Sequence, residues 1–301
     1  MKKIIVITGP TGVGKTKMSI ELAKIYNGEI INADAMQVYI GLNIGTAKIK
    51  EEEKENIPHH LFDIKNTNEE YSIYDYQKDC RNKLEKILKK GKTPILVGGT
   101  GLYIKSALYD YKLEETKTNN LEEYNNKTNE ELYQELINLD NKAINKIDIN
   151  NRRRVINAIN HYKNTGKSIT ENITNNLLYE SIFIGLTTDR ENLYNIINKR
   201  VDKMINEGLL KEVESFYNQN IYTKPLTGGI GYKELYKYFE GNCSLDESIE
   251  LIKRNSRRYA KRQYTFFNHQ LPVIWFNTDY NNFNNTIKSV TNYIDKNINL
   301  W

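Results

Sequence analysis

Gly9, Pro10, Thr11, Gly12, Val13, Gly14, Lys15 and Thr16 spell the pattern G-x-x-x-x-G-K-[ST]. The apolar, largely β-branched run at 4–7 precedes it, and a helix-forming stretch follows from Thr16. Strand, loop and helix in that order commit the start of the chain to a phosphate-binding turn. Glycines at 9, 12 and 14 let successive N–H groups turn inward onto an anion, and the positive end of the next helix adds to that field. Lys15 supplies a point charge for the terminal phosphate oxygens, and the Thr16 hydroxyl is placed to ligate Mg²⁺.

Further strand-like runs lie at 29–33, 94–97, 181–186 and 272–276, with helical patterns between several of them. That alternation predicts an α/β fold, a P-loop NTPase-like parallel sheet flanked by helices. Ligands in such sheets collect beyond the strand C-termini. Unusual residues mark those ends here: the loop at 9–16, Asn32-Ala33-Asp34, and Gly98-Gly99-Thr100-Gly101. Between the third and fourth runs, residues 112–179 read as an inserted all-helical lobe with no strand of its own, leaving 1–111 and 180–301 as the catalytic core. The stretch at 116–127 is rich in Asn, Glu and Lys and reads as a solvated loop. Thr128 to Glu131 has capping-box spacing, and Asn151-Arg152-Arg153-Arg154 opens a second helix that Gly166 stops.

At 301 residues the chain has room for a catalytic domain and a second lobe. No segment has the length of an apolar spanning helix, and Met1-Lys2-Lys3 leads directly into a strand rather than a signal peptide's apolar region, so a cytoplasmic enzyme is expected. Cys80 and Cys243, far apart, offer neither a disulfide framework nor a Cys-rich zinc site, and His59, His60, His161 and His269 lack metal-ligand spacing. A net charge of +5 decides little; its distribution says more. Arg254, Arg257, Arg258, Lys261 and Arg262 share one face of a helix, opposite Ile249, Ile252, Ala260, Gln263 and Phe267, and no acid occurs from 251 to 267. Phosphate-backbone binding and a plain solvated face both account for such a stripe. Asp34, at a strand end, is open to three roles: general base, Mg²⁺ ligand or helix N-cap.

The ordered set GPTGVGKT, NADAMQVY, GLNIGTAK, PHHLFDI, YSIYDYQ, PILVGGTGLYIKSAL, GKSITE, IGYKEL and RRYAKRQYTFF spans nearly the whole chain and closely resembles the tRNA dimethylallyltransferase family. The resemblance implies transfer of a dimethylallyl group from dimethylallyl diphosphate to N6 of the adenosine just 3′ of the anticodon. The loop at 9–16 would then hold a prenyl diphosphate rather than ATP, with Mg²⁺ as cofactor. Asp34 matches the family's base, and Thr100 a strand-end Thr that holds the amino group or the Asp34 carboxylate. Arg200 matches an Arg at the diphosphate. Asp34, Ala35, Met36, Gln37 and Thr100 fall where the family meets the anticodon loop. Arg153, Arg154, Arg257, Arg258 and Arg262 are suited to the tRNA phosphates of the anticodon stem-loop. The family expectation is a monomer. Asn157, Asn160 and Gly228-Gly229 depart from the family's usual residues, which bears on tRNA contacts and not on the donor site. The rival readings are an ATP-dependent small-molecule kinase, which gives the basic stripe and GGTGLY no task, and a non-catalytic RNA-binding or NTP-switch protein, in which Asp34 would be incidental.

Overall fold

The computed structural model describes residues 3–111, 113, 121–170 and 173–298. Strand β1 (Lys3–Thr8) leads through the glycine-rich loop into helix α1 (Lys15–Ile25), and β2 (Gly28–Asn32) follows. After a long connection come β3 (His59–His60), α2 (Ile73–Lys89), β4 (Thr93–Val97) and α3 (Gly101–Leu108). The next elements are β5 (Tyr109–Tyr111), α4 (Asn129–Leu139), α5 (Arg152–Thr165) and β6 (Ile173–Leu177). The chain continues through β7 (Glu180–Thr187), α6 (Arg190–Asn206), α7 (Leu209–Tyr217), α8 (Lys224–Gly228) and α9 (Tyr232–Phe239). It closes with α10 (Leu245–Gln270), β8 (Ile274–Asn277) and α11 (Phe283–Ile298).

The chain divides into two compact units, one of Met1–Leu108 with Tyr179–Trp301 and one of Tyr109–Leu178. The first holds a six-stranded sheet ordered β3-β2-β4-β1-β7-β8, in which every pairing is parallel. Parallel strands covered on both faces need apolar side chains on both, which is why Ile4 to Ile7 and Ile182 to Ile184 are buried without alternation. Met18, Ile20, Leu22 and Ala23 of α1 pack into the same cluster as Ile5, Ile7, Ile30, Ile95 and Ile184. A second cluster joins Val38, Tyr39 and Leu42 to Val201, Leu209, Val213, Tyr232, Leu235 and Ile252. It seats the segment after β2 on helices α6 to α10.

The unit Tyr109–Leu178 has its own core, formed by Tyr124, Leu132, Leu136, Ala143, Ile147, Val155, Ile156 and Ile159. Thr128 and Glu131 make the reciprocal cap of α4, and Gly166 ends α5 with a left-handed φ of 68°. One expectation needs correction. The lobe is not all-helical, because β6 pairs antiparallel with β5. Its sequence, Ile-Thr-Asn-Asn-Leu, carries apolar residues only at its ends, so neither an alternating nor a continuous apolar pattern marks it. The sheet also has a β3 strand at the His pair, where each ring has a partner: His59 Nδ1 meets Ile57 O at 2.8 Å and His60 Nε2 meets Glu29 Oε2 at 2.8 Å. Of the stretch read as a solvated loop, 116–120 lies outside the described residues, and Leu121–Tyr124 form a 3₁₀ turn.

Candidate active site

The glycine-rich loop sits at the centre of the sheet, between the ends of β4 and β7. Gly9 has a φ of 137°, and a Cβ there would lie 2.4 Å from the Leu186 carbonyl oxygen, so no other residue fits. Lys15 opens α1 and folds its ammonium back over the loop, donating to Gly9 O at 3.0 Å and Pro10 O at 2.6 Å. From the β8 side, the Thr278 hydroxyl donates to Val13 O at 3.0 Å and fixes the loop's far limb. Thr16 is exposed in the first turn of α1.

Burial of the Lys15 ammonium, followed by the like charge of Arg200, pushes its pKa down to about 7, against the pull of Asp34. Arg200, on α6, is likewise shifted down by burial, with Asp34 opposing. Two desolvated cations thus share the field of one carboxylate, and Lys15 feels the repulsion of Arg200. An anion arriving between them relieves both the burial cost and the repulsion.

Asp34 follows β2 in a tight, hydrogen-bonded turn. Asn32 Oδ1 accepts from the Asp34 N–H at 2.9 Å, and Asn32 Nδ2 donates to Asp34 O and Leu61 O, both at 3.0 Å. Asp34 Oδ1 accepts from the Met36 N–H at 2.9 Å. No helix starts after it, so the N-cap role is set aside; the chain runs on through turns. Thr100 is stitched to this segment twice: its N–H donates to Ala33 O at 3.0 Å and its Oγ1 accepts from the Ala35 N–H at 3.1 Å. The hydroxyl therefore serves the Asp34 turn.

Sequence reasoning put Gln263 on the buried side of the basic helix without giving it a task. It is 5% exposed and donates through Nε2 to Gly99 O at 3.0 Å. A point one bond above the Gly99 Cα is 2.2 Å from that nitrogen and 3.9 Å from Asp34 Oδ2. Burial and then the Asp34 charge push the neighbouring Tyr259 hydroxyl up to about 12. An amide on an otherwise apolar helix face was the available signal.

The stripe on α10 is not uniform. Arg254, Arg258, Lys261 and Arg262 are exposed, and Arg262 lies over the Tyr259 ring at 5.6 Å. Arg257 is half-buried, donates to Asn198 Oδ1 at 2.6 Å and sits 5.9 Å from the Tyr194 ring, which makes it a strut between α10 and α6. This corrects its place on a free face; a shorter, polar partner on α6 was not readable from periodicity. In the other unit Arg153 and Arg154 are exposed at the start of α5, whereas Arg152 is held by Asn129 Oδ1 at 3.1 Å. Asn160 is buried and accepts from the Tyr124 hydroxyl at 2.8 Å, while Asn157 is exposed. Gly229 makes room for Met36, whose Cε would be 2.5 Å from a Cβ there, and Gln37 donates through Nε2 to Thr46 O at 3.0 Å.

A family model described as IPP transferase matches residues 37–270. A tRNA dimethylallyltransferase of Anoxybacillus flavithermus is 49% identical over 300 residues, covering 98% of this chain and 96% of that protein. The crystal structure of the full-length tRNA isopentenylpyrophosphate transferase of Bacillus halodurans superposes with a TM-score of 0.77 at 41% identity, over 98% of this chain and 96% of that one. A eukaryotic dimethylallyltransferase acting on tRNA gives a TM-score of 0.81 at 32% identity, over 91% of this chain and 74% of its own.

Proposed function

The chain belongs to the IPP transferase family, and we propose that it moves a dimethylallyl group from dimethylallyl diphosphate to N6 of the adenosine 3′-adjacent to the anticodon of tRNA, releasing diphosphate. One observation carries the reading: Lys15 folds over the phosphate loop, where its charge interacts with those of Arg200 and of the Asp34 carboxylate. The cations suit a departing diphosphate, and the carboxylate suits a nucleophile that must lose a proton.

The allylic C1–O bond breaks as the leaving oxygens gain charge, and inward N–H groups of residues 11–14, Lys15 and Arg200 would stabilise that charge. The N6–C1 bond forms from an amine whose lone pair is delocalised into the purine ring. A base that accepts its proton therefore helps, and Asp34 is that base in our reading, with Thr100 fixing the turn that carries it. The amine must be unstacked to reach this pocket, which is cheaper in a loop than in a duplex.

The donors available for a divalent ion are oxygens. Thr16 offers a hydroxyl, and among the described residues no group of three or more His, Cys, Asp or Glu side chains forms a cage. That set fits Mg²⁺, which keeps most of its ligands from water and substrate phosphate. Held by Thr16, it would supply positive charge against the diphosphate.

Arg258 and Arg262 on α10, with Arg153 and Arg154 on α5, are assigned to tRNA phosphates, and Asp34 to Gln37 with Thr100 to the anticodon loop. No helix among the described residues is long and apolar enough to cross a membrane. A cytoplasmic monomer working on tRNA completes the reading. Incubation with labelled dimethylallyl diphosphate and unmodified tRNA, with ATP and adenosine as alternative partners, tests it. Label in tRNA is expected; phosphoryl transfer from ATP, or tRNA binding without transfer, would overturn it.

A further inference from the structure

The connection from β2 to β3 is long, and it begins at Ala33, one residue before Asp34. Its middle turn is held by one side chain on α7. Glu212 Oε2 accepts from the N–H groups of Asn43 at 3.1 Å and Ile44 at 2.8 Å, and Oε1 accepts from Gly45 N–H at 3.1 Å and the Tyr232 hydroxyl at 2.7 Å. Consecutive N–H groups converging on an anion form a nest, and bonds to a carboxylate are stronger than those between neutral groups. Gly45 is needed because the Tyr232 ring would stand 2.6 Å from a Cβ.

The same connection is braced from within. Gln37 Nε2 donates to Thr46 O at 3.0 Å, and Lys48 Nζ donates to Tyr39 O at 2.7 Å. Beyond Tyr232, Glu234 accepts from Gly231 N–H at 2.8 Å and from Asn255 Nδ2 of α10 at 2.7 Å. The IGYKE segment therefore ties the loop after Asp34 to the helix that carries the basic stripe.

Connections of such length are uncommon in compact domains unless they bind something, and ordering their backbone costs conformational entropy. The interior of α7 is supplied by Leu209 and Val213, and Glu212 stays half-exposed. Packing of α7 does not require a carboxylate there; the loop does. We propose that Glu212 is a positioning residue for the tRNA substrate, acting through the turn at 43–45 to hold Ala35, Met36 and Gln37 in place for the anticodon loop. The inference rests on the proposed function. The donor's loop hangs from β1 and α1 and Arg200 from α6, while the side-chain bonds of Glu212 go to the turn at 43–45 and to Tyr232, so Glu212 acts on tRNA and leaves the donor alone.

The test compares Glu212→Ala, Glu212→Gln and Tyr232→Phe with the wild type, per folded molecule, by KM for each substrate and by Kd for unmodified tRNA. Glu212→Ala is expected to raise tRNA KM and Kd about tenfold or more while donor KM stays within about twofold. The Gln variant keeps a carbonyl for Asn43 and Ile44 and should recover part of the loss. Tyr232→Phe should add little in the Glu212→Ala background, since both act through one carboxylate. Unchanged tRNA parameters, or equal shifts in both substrates, overturn the proposal. If the Ala variant does not fold, the Gln variant decides: a rise of about twofold or more confined to tRNA supports the proposal, and no rise overturns it. Absence of prenyl transfer by the wild type would instead remove the proposed function, and tRNA Kd would still judge Glu212.

Discussion

At the scale of single residues, Asp34 is the position on which the chemistry turns. Its backbone is pinned by Asn32 and its Oδ1 by the Met36 N–H, while Oδ2 lies on the side of Gly99. Base and metal ligand are the two roles left, and one substitution separates them. Asp34→Asn keeps size and the bond from Met36 but cannot take a proton, so single-turnover prenyl transfer at saturating substrates is expected to fall by about 10²–10⁴ with both substrates still bound. Loss of a metal ligand would behave otherwise: activity would return as Mg²⁺ is raised. Rescue to near the wild-type rate in a Mg²⁺ titration would sink the base assignment.

At the scale of elements, α10 has two kinds of arginine. Arg257 bonds to Asn198 and braces α6, whereas Arg258 and Arg262 are exposed, the latter over the Tyr259 ring. Replacing Arg258 and Arg262 by Gln should therefore flatten the salt dependence of tRNA binding, by about 0.9 or less in log–log slope for each phosphate left without its arginine. Arg257→Gln should lower the melting temperature and leave that slope alone. A slope that moves with Arg257 instead would reverse the assignment. The opposite edge of the sheet offers an acid test. Burial of Glu29 would raise its pKa, but hydrogen bonds from His60, Lys92 and Lys90 win and bring it down to about 2. A carboxylate depressed in the folded state contributes stability above its unfolded pKa, near 4.5, and that contribution fades as pH falls toward the folded value, amounting to roughly 3 kcal/mol at most. The stability gap between wild type and Glu29→Gln, measured by urea unfolding, should be widest above pH 5 and close toward pH 2. A gap independent of pH would mean that the cluster is not what holds β2 to β3.

The same scale shows what the amino-acid order made legible. β1, β4 and β7 announce themselves because both faces are buried and their middles run apolar, whereas β2 shows only Ile30-Ile31 between a buried Glu29 and a buried Asn32. The phosphate loop, Asp34 and Thr100 stand at strand ends that can be counted from those runs. β3, β5 and β6 are short or polar, held by ladder bonds that leave no hydrophobic period. Glu212 was illegible for another reason: its backbone partners lie 167 to 169 residues away, and one helical Glu looks like any other until the turn at 43–45 arrives against it. Gln263 is the same case, with Gly99 164 residues off.

At the scale of the whole molecule, each of the two units has an apolar cluster of its own among the described residues. The clusters built on the sheet and on α6 to α10 contain no buried residue from Tyr109–Leu178, and the cluster around Tyr124 and Leu132 draws on that unit alone. Antiparallel β5 and β6 set Tyr111 opposite Ile173, so the chain enters and leaves the smaller unit through paired strands. A two-residue Asn-Gly turn can close such a pair, since its backbone twist matches that of the strands. Replacing residues 112–172 by Asn-Gly removes the Tyr124 cluster and no described residue of the other two. The shortened protein is expected to unfold cooperatively, to gain thermal stability on adding dimethylallyl diphosphate with Mg²⁺ as the full chain does, and to bind tRNA at least about tenfold more weakly, because Arg153 and Arg154 go with the removed segment. Calorimetry with and without donor, alongside tRNA Kd at fixed salt, checks all three. Loss of the donor's stabilising effect would show that the larger unit depends on the smaller for its phosphate site. Undiminished tRNA affinity would take Arg153 and Arg154 out of the tRNA interface and leave α10 to supply its phosphate contacts.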